Sequence, residues 1–183
     1  MHLAGHLCGA RCQEVIDGNF SFVKELASKG FGRVQVNATS ANNVVIDRTR
    51  IADYAAQLRH CIASVPEVEW IIQCNDESQC IWEQLIPNPP SNMSILFDSS
   101  CGLGTLIQSF PEPFSSPDIK CGYAGGIGPS TLATVLEGVA RAAKGKAVWV
   151  DMESSLRVKV TDKVASNVDV FSINKCFTIW VFY

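Results

Sequence analysis

The chain has 183 residues, of which 47% are hydrophobic, 18% charged and 9% aromatic, and its 15 Lys and Arg against 18 Asp and Glu give a formal net charge of −3. That is the size and composition of one globular domain, with no sign of a disordered or fibrous chain. A slightly acidic chain without clustered Lys/Arg between aromatics has no field to concentrate a phosphodiester backbone, so nucleic acid is not expected as a partner.

Taken in chain order, short β-branched or apolar runs end in small or polar residues, and each is followed by a stretch with helical spacing. The expected strands are Met1–Cys8, Arg33–Asn37, Glu69–Cys74, Ser94–Asp98, Lys120–Ala124 and Ala147–Asp151. The expected helices are Cys12–Ser28, Arg50–Ser64, Ser78–Leu85, Leu103–Phe110 and Pro129–Ala143, with a weaker one from Thr161. Gly30 and Gly32 follow Lys29 where a helix needs a left-handed cap, and Pro129 with Ser130 opens a helix whose first turn has little use for a proline N–H. Prolines break both periodicities in Asn88-Pro-Pro-Ser and again across 110–117, so these are loops. No low-complexity tract or linker divides the chain, which is read as a single domain over 1–183.

Regular alternation of β and α implies a parallel sheet covered by helices, either an open doubly wound sheet or a (β/α)8 barrel. Gly5-His-Leu-Cys-Gly9 does not fit a dinucleotide fingerprint and Gly102-Leu-Gly104 lacks the third glycine, so no cofactor is expected. Eight cysteines are read as reduced thiols of a cytoplasmic protein, because the start of the chain is not a signal peptide. Cys8 and Cys12 have no second pair at zinc-finger spacing, so no metal site is expected either. The longest apolar run, Phe177 to Tyr183, is far below the ~20 residues of a membrane span.

In both architectures ligands bind at the carboxyl ends of the strands. The polar residues there are His6, Cys8, Gln35, Asn37, Gln73, Asn75, Asp76, the run from Asp98 to Gly104, the turn Gly125 to Gly128, and the segment from Asp151 to Arg157. Gly125-Gly-Ile-Gly128 leads from a strand into a helix, where small residues let backbone N–H groups approach an anion beside the positive end of the helix dipole. Without an anion the same run is a tight turn needing positive φ. Asp151-Met-Glu-Ser-Ser-Leu-Arg157 adds the hydroxyls of Ser154 and Ser155 and the cation of Arg157. Asp98 reads either as a site carboxyl or as a cap on the following turn, and Gln35, Asn37 and Asn75 either orient a ligand or bond loop backbone.

Tyr123-Ala-Gly-Gly-Ile-Gly-Pro129 followed by Val148-Trp-Val-Asp-Met-Glu-Ser-Ser155 resembles the last two βα units of the phosphoribosylanthranilate isomerase family. Val34-Gln-Val-Asn37 resembles that family's fourth strand, and Leu96-Phe-Asp98 before Gly102-Leu-Gly104 its sixth. The resemblance implies a TIM barrel of ribulose-phosphate-binding type and a small phosphorylated sugar derivative as substrate. It implies Asp98 as general acid of an Amadori-type aldose–ketose isomerisation, with the substrate phosphate on Gly125, Gly126, Ile127, Gly128, Asp151, Ser154, Ser155 and Arg157. His6-Leu-Cys-Gly9 is similar to the motif that carries the family's catalytic cysteine, which would make Cys8 the base. The order of matches, however, makes Met1–Cys8 strand three.

On that count two βα units are missing, as 183 residues also suggest against about 200–250 for a complete barrel. The expectation is an incomplete barrel of six units, with the first and last strands open on one side and prone to self-association. The function is read as isomerase-like; the alternatives are a non-catalytic phosphosugar-binding remnant or a barrel enzyme of different chemistry.

Overall fold

The structure, a computed structural model, describes residues 3–116, 119–153 and 155, and the backbone of 158–159, 171–172 and 179–181. Six parallel strands lie side by side in chain order: β1 (Leu3–Leu7), β2 (Phe31–Val36), β3 (Glu69–Cys74), β4 (Met93–Phe97), β5 (Lys120–Tyr123) and β6 (Val148–Val150). The order never reverses, so there is no switch point of the doubly wound kind. Five strand spacings of about 4.8 Å would hold β1 and β6 roughly 24 Å apart in a flat sheet. Yet His6 Nδ1, at the end of β1, lies 2.8 Å from Glu153 Oε1, just beyond β6. The sheet is therefore curled into a half-barrel.

Period-two alternation separates two faces. On the convex face Leu7, Val36, Ile72, Ile95, Cys121 and Val148 stand in register and join the main core. The helices that cover them are α1 (Gly9–Ile16), α2 (Ser21–Ser28), α3 (Ile51–Ser64), the short α4 (Gln79–Trp82) and α5 (Leu132–Ala143). In α3 the buried positions Tyr54, Ala55, Leu58, Cys61 and Ile62 follow the helical period, so burial and not intrinsic propensity holds the helix.

The concave face is polar at both ends and apolar only in the middle. At the amino ends, Glu69 receives Arg33 Nε at 2.7 Å, Lys120 Nζ at 3.6 Å and the Ser94 hydroxyl. Burial alone would push the Glu69 carboxyl up, but Ser94, Arg33 and Lys120 outweigh it and hold it below its ordinary range. Above this plug a small apolar layer forms from Ile71, Leu96, Ala124 and Trp149. The indole occupies the space beside Gly122, where an added Cβ would stand 2.2 Å from Trp149 Cε2.

Four expectations are corrected. The helix expected over Cys12–Ser28 is two helices, broken where Gly18 takes φ +95° and Asn19 Oδ1 accepts from Ser21 N–H. The helix expected over Ser78–Leu85 shortens to α4, after which the chain continues as turns. No helix forms over Leu103–Phe110: Gly102 and Gly104 have positive φ, and Ile107 N–H is drawn to Gly125 O at 3.2 Å. Beyond β6, β7 (Val158–Lys159) and β8 (Phe171–Ser172) form a separate antiparallel pair. The outer edge of β6 is not open, because β9 (Ile179–Val181) pairs with it antiparallel. The weaker helix expected from Thr161, like Ser154 and Arg157, lies outside the described residues. Among the described residues no helix is long and apolar enough to cross a membrane.

Candidate functional site

A cavity of about 260 Å³ opens at the carboxyl ends of β2 to β6. It is lined by Gln35, Asn37 and Asn42, by Gln73, by Asp98, Ser100 and residues 102–104, by Ala124 to Ile127, and by Asp151, Glu153 and Ser155. The concave face thus brings together most of the residues marked by their position at strand ends. Its charge is one-sided: Asp98, Asp151 and Glu153 line it, and no lysine or arginine does so among the described residues.

Asp98 follows β4 and is almost fully buried. Its Oδ1 accepts from Ser100 N–H at 3.1 Å and from the Ser100 hydroxyl at 2.5 Å. Its Oδ2 accepts from Gln73 Nε2 at 2.6 Å and from Gly102 N–H at 3.2 Å. The carboxyl therefore caps the turn after β4 and also faces the cavity, so the two readings of this residue are not exclusive. Gly104 N–H continues the arrangement by donating to the Ser100 Oγ at 3.1 Å.

The glycine turn is packed tightly against this loop. Gly125 has φ +112°, and a Cβ there would approach Thr105 O to 3.1 Å and Asp98 Oδ1 to 3.3 Å. At Gly126, with φ +61°, a Cβ would stand 2.5 Å from Leu106 N. Gly128 presses on Ser155 in the same way, at 2.5 Å from its Cβ, so the two expected phosphate segments do meet. The Gly128 N–H is committed to Thr131 Oγ1 at 2.9 Å, and Gly128 does not line the cavity, which leaves Gly125, Gly126 and Ile127 of the turn facing it.

Gln35 Nε2 donates to Asn37 Oδ1 at 2.8 Å, and Asn37 Nδ2 donates to Cys8 Sγ at 3.4 Å. Cys8 is exposed at the start of α1 and lies outside the cavity lining, one hydrogen bond removed from it. Asn75 is also outside: its Oδ1 accepts from Glu77 and Ser78 N–H, which builds the turn into α4. The seven described cysteines are free thiols.

Four residues acquire a place that their strand-end positions alone did not give them. Glu153 Oε1 meets His6 Nδ1, and Asp151 bonds to Glu153. Burial first, then the neighbouring Glu153 carboxyl, push Asp151 up to about 6, against the opposing pull of His6. Gln73, 2% exposed, donates to Asp98 through Nε2, and its Oε1 has no hydrogen-bond partner among the described residues. Turning the amide over would set Oε1 against the Asp98 carboxyl, so the hydrogen-bond network fixes its orientation.

No protein-family model, curated protein or solved structure matches this chain.

Proposed function

We propose that the mouth of the half-barrel binds a small phosphorylated sugar derivative and isomerises it by acid–base catalysis, in the manner of the phosphoribosylanthranilate isomerases that the sequence resembles. On this reading the fold is a ribulose-phosphate-binding TIM barrel represented by six of its eight units. The sequential, curled parallel sheet supports that assignment.

The observation that carries the reading is the convergence of Asp98 and the turn Gly125–Ile127 on one polar cavity, with Ser155 beside the turn. Backbone N–H groups of Gly126, Ile127 and Ser155 would hold the phosphate, since bonds to an anion are roughly twice as strong as neutral ones. Gln35 and Asn37 supply amide groups for sugar hydroxyls, and Asp98 would give a proton to the ring oxygen as the ring opens. The volume, about 260 Å³, suits a pentose phosphate better than a dinucleotide.

The test is incubation of the full chain with an N-substituted 5-phosphoribosylamine in D2O, followed by proton NMR. The expected result is a 1-amino-1-deoxyketose carrying solvent deuterium, absent with Asp98→Asn. Binding without conversion, seen as a thermal upshift with ribose 5-phosphate, would establish the non-catalytic alternative. Neither binding nor conversion would overturn both.

A further inference from the structure

We infer that the seam of the half-barrel is a binding site for one divalent transition-metal cation, held by His6, Asp151 and Glu153. The site stands on side-chain geometry and goes beyond the sugar-phosphate reading, which can fail without it.

The three side chains come from the first and last of the six parallel strands. His6 lies near the end of β1, Asp151 and Glu153 follow β6, and one ligand atom from each lies within 4.8 Å of the other two. Ligand atoms about 2.1 Å from a common ion stand about 3–4 Å apart, so small side-chain rotations close the set. Imidazole with two carboxyl groups suits a first-row divalent cation better than Ca²⁺, which takes oxygen ligands throughout. His6 and Glu153 are partly exposed, which leaves the ion a route to solvent and positions open for water or a ligand.

An independent observation points the same way. Gln73 Oε1 is buried without a hydrogen-bond partner among the described residues, and Gln73 lines the cavity shared with Asp151 and Glu153. A buried acceptor left unmatched is costly, and it cannot be relieved by flipping the amide because Nε2 is held by Asp98. A small turn of the side chain toward the cavity would let this oxygen meet a water bound to a cation at the mouth. The surroundings of the site add the Asp98 carboxyl and no basic side chain of the cavity lining among the described residues.

Such an ion would clasp the first and last of the six parallel strands together. It would also give the acidic mouth a positive centre able to polarise a ligand oxygen.

Mn²⁺ is the probe of choice, because the exposed Cys8 thiol and its neighbours would compete for Zn²⁺. The full chain is first stripped with chelator; Mn²⁺ is then titrated with the free ion followed by electron paramagnetic resonance, and melting is followed in parallel. The expected result is one Mn²⁺ per chain, a raised melting temperature, and at least tenfold weaker binding in both His6→Ala and Glu153→Gln. Both variants alter partly exposed side chains, and circular dichroism checks that they fold. Gln73→Met, which keeps the shape and removes the oxygen, should weaken binding less than either. No binding below millimolar Mn²⁺, or unchanged binding in either His6→Ala or Glu153→Gln, would overturn the site.

Discussion

Replacing Asp98 separates its two duties. Asp98→Ala strands three donors that now point at its oxygens, Ser100 N–H, Gly102 N–H and Gln73 Nε2, while the Ser100 hydroxyl is free to turn elsewhere. At about 1–3 kcal/mol for each buried donor left unmatched, and less for Gly102, which sits nearer solvent, the loss is about 3–5 kcal/mol. Asp98→Asn behaves differently because of the orphan oxygen on Gln73. The amide introduced by this substitution keeps an oxygen for Ser100, and its NH2 group faces Gln73; a half-turn of the Gln73 amide then presents Oε1 to that NH2. Gly102 N–H loses its acceptor, while the Gln73 NH2 takes the slot where Oε1 had no partner, one unmatched group replacing another, so the net cost is about 1–2 kcal/mol. For a chain of this length each kcal/mol moves the melting temperature by about 2–4 °C, so the alanine variant should melt about 10 °C below wild type and the asparagine variant about 4 °C below. Urea melts at pH 7.5 give the energies directly. Equal destabilisation by Ala and Asn would refute the amide flip and the assignment of partners behind it. If the energies come out as stated, loss of isomerisation in the well-folded Asp98→Asn reports on proton transfer and not on a collapsed loop.

Gly122→Ala puts a methyl where Trp149 already stands, at 2.2 Å, and should cost about 2–3 kcal/mol with a shift in the tryptophan emission; a silent substitution would mean the indole lies elsewhere. Gly126→Val forces a β-branched residue into left-handed backbone against Leu106 N, so it should displace the 103–107 loop, lower the melting temperature and abolish the thermal upshift given by ribose 5-phosphate. Burial pushes the Cys12 thiol up to about 12 and those of Cys61 and Cys121 to about 11, so these should resist iodoacetamide at pH 8 until urea unfolds the chain, while peptide mapping finds the exposed Cys8 alkylated first.

The parallel strands were legible because each is a run of apolar or β-branched residues that stops at a polar one, and a buried parallel strand needs little more. Glu69–Cys74 is observed with the bounds expected for it. Local spacing misled where tertiary contacts decide. Leu103, Leu106, Ile107 and Phe110 mimic one face of a helix, yet Leu103 and Leu106 are exposed and the segment is tied to Gly125 and to the turn around Asp98. The convergence of Asp98, the glycine turn and Ser155 followed from the rule that ligands meet strand ends. The approach of His6 to Glu153 did not, because it depends on how strongly six strands curl and not on any pattern within one strand. The unmatched oxygen of Gln73 is equally invisible in sequence, where the residue reads as one more polar strand end.

The acidic mouth and the glycine turn make opposing demands on a phosphate, and the balance of charge says how they are reconciled. A cavity of about 260 Å³ has an edge of about 6 Å, and at that separation, in an effective dielectric of about 20, each pair of like unit charges repels by about 3 kcal/mol. A phosphate dianion facing Asp98, Asp151 and Glu153 meets several such pairs, which work against the charge-assisted bonds of two or three backbone N–H groups and leave it bound more weakly than the turn alone would hold it. A divalent cation on His6, Asp151 and Glu153 removes most of that repulsion and adds attraction of its own. Cation and sugar phosphate should therefore bind cooperatively, each raising the affinity for the other by the same factor. The measurement is the Kd of ribose 5-phosphate by calorimetry, with chelator and with saturating Mn²⁺, and of Mn²⁺ with and without the sugar phosphate. A coupling of at least tenfold in both directions is expected in the wild type, shrinking toward unity in Glu153→Gln, where the repulsion and the ligand are removed together. Ribose 5-phosphate that binds equally well with chelator and with Mn²⁺ would place the positive charge on some other group.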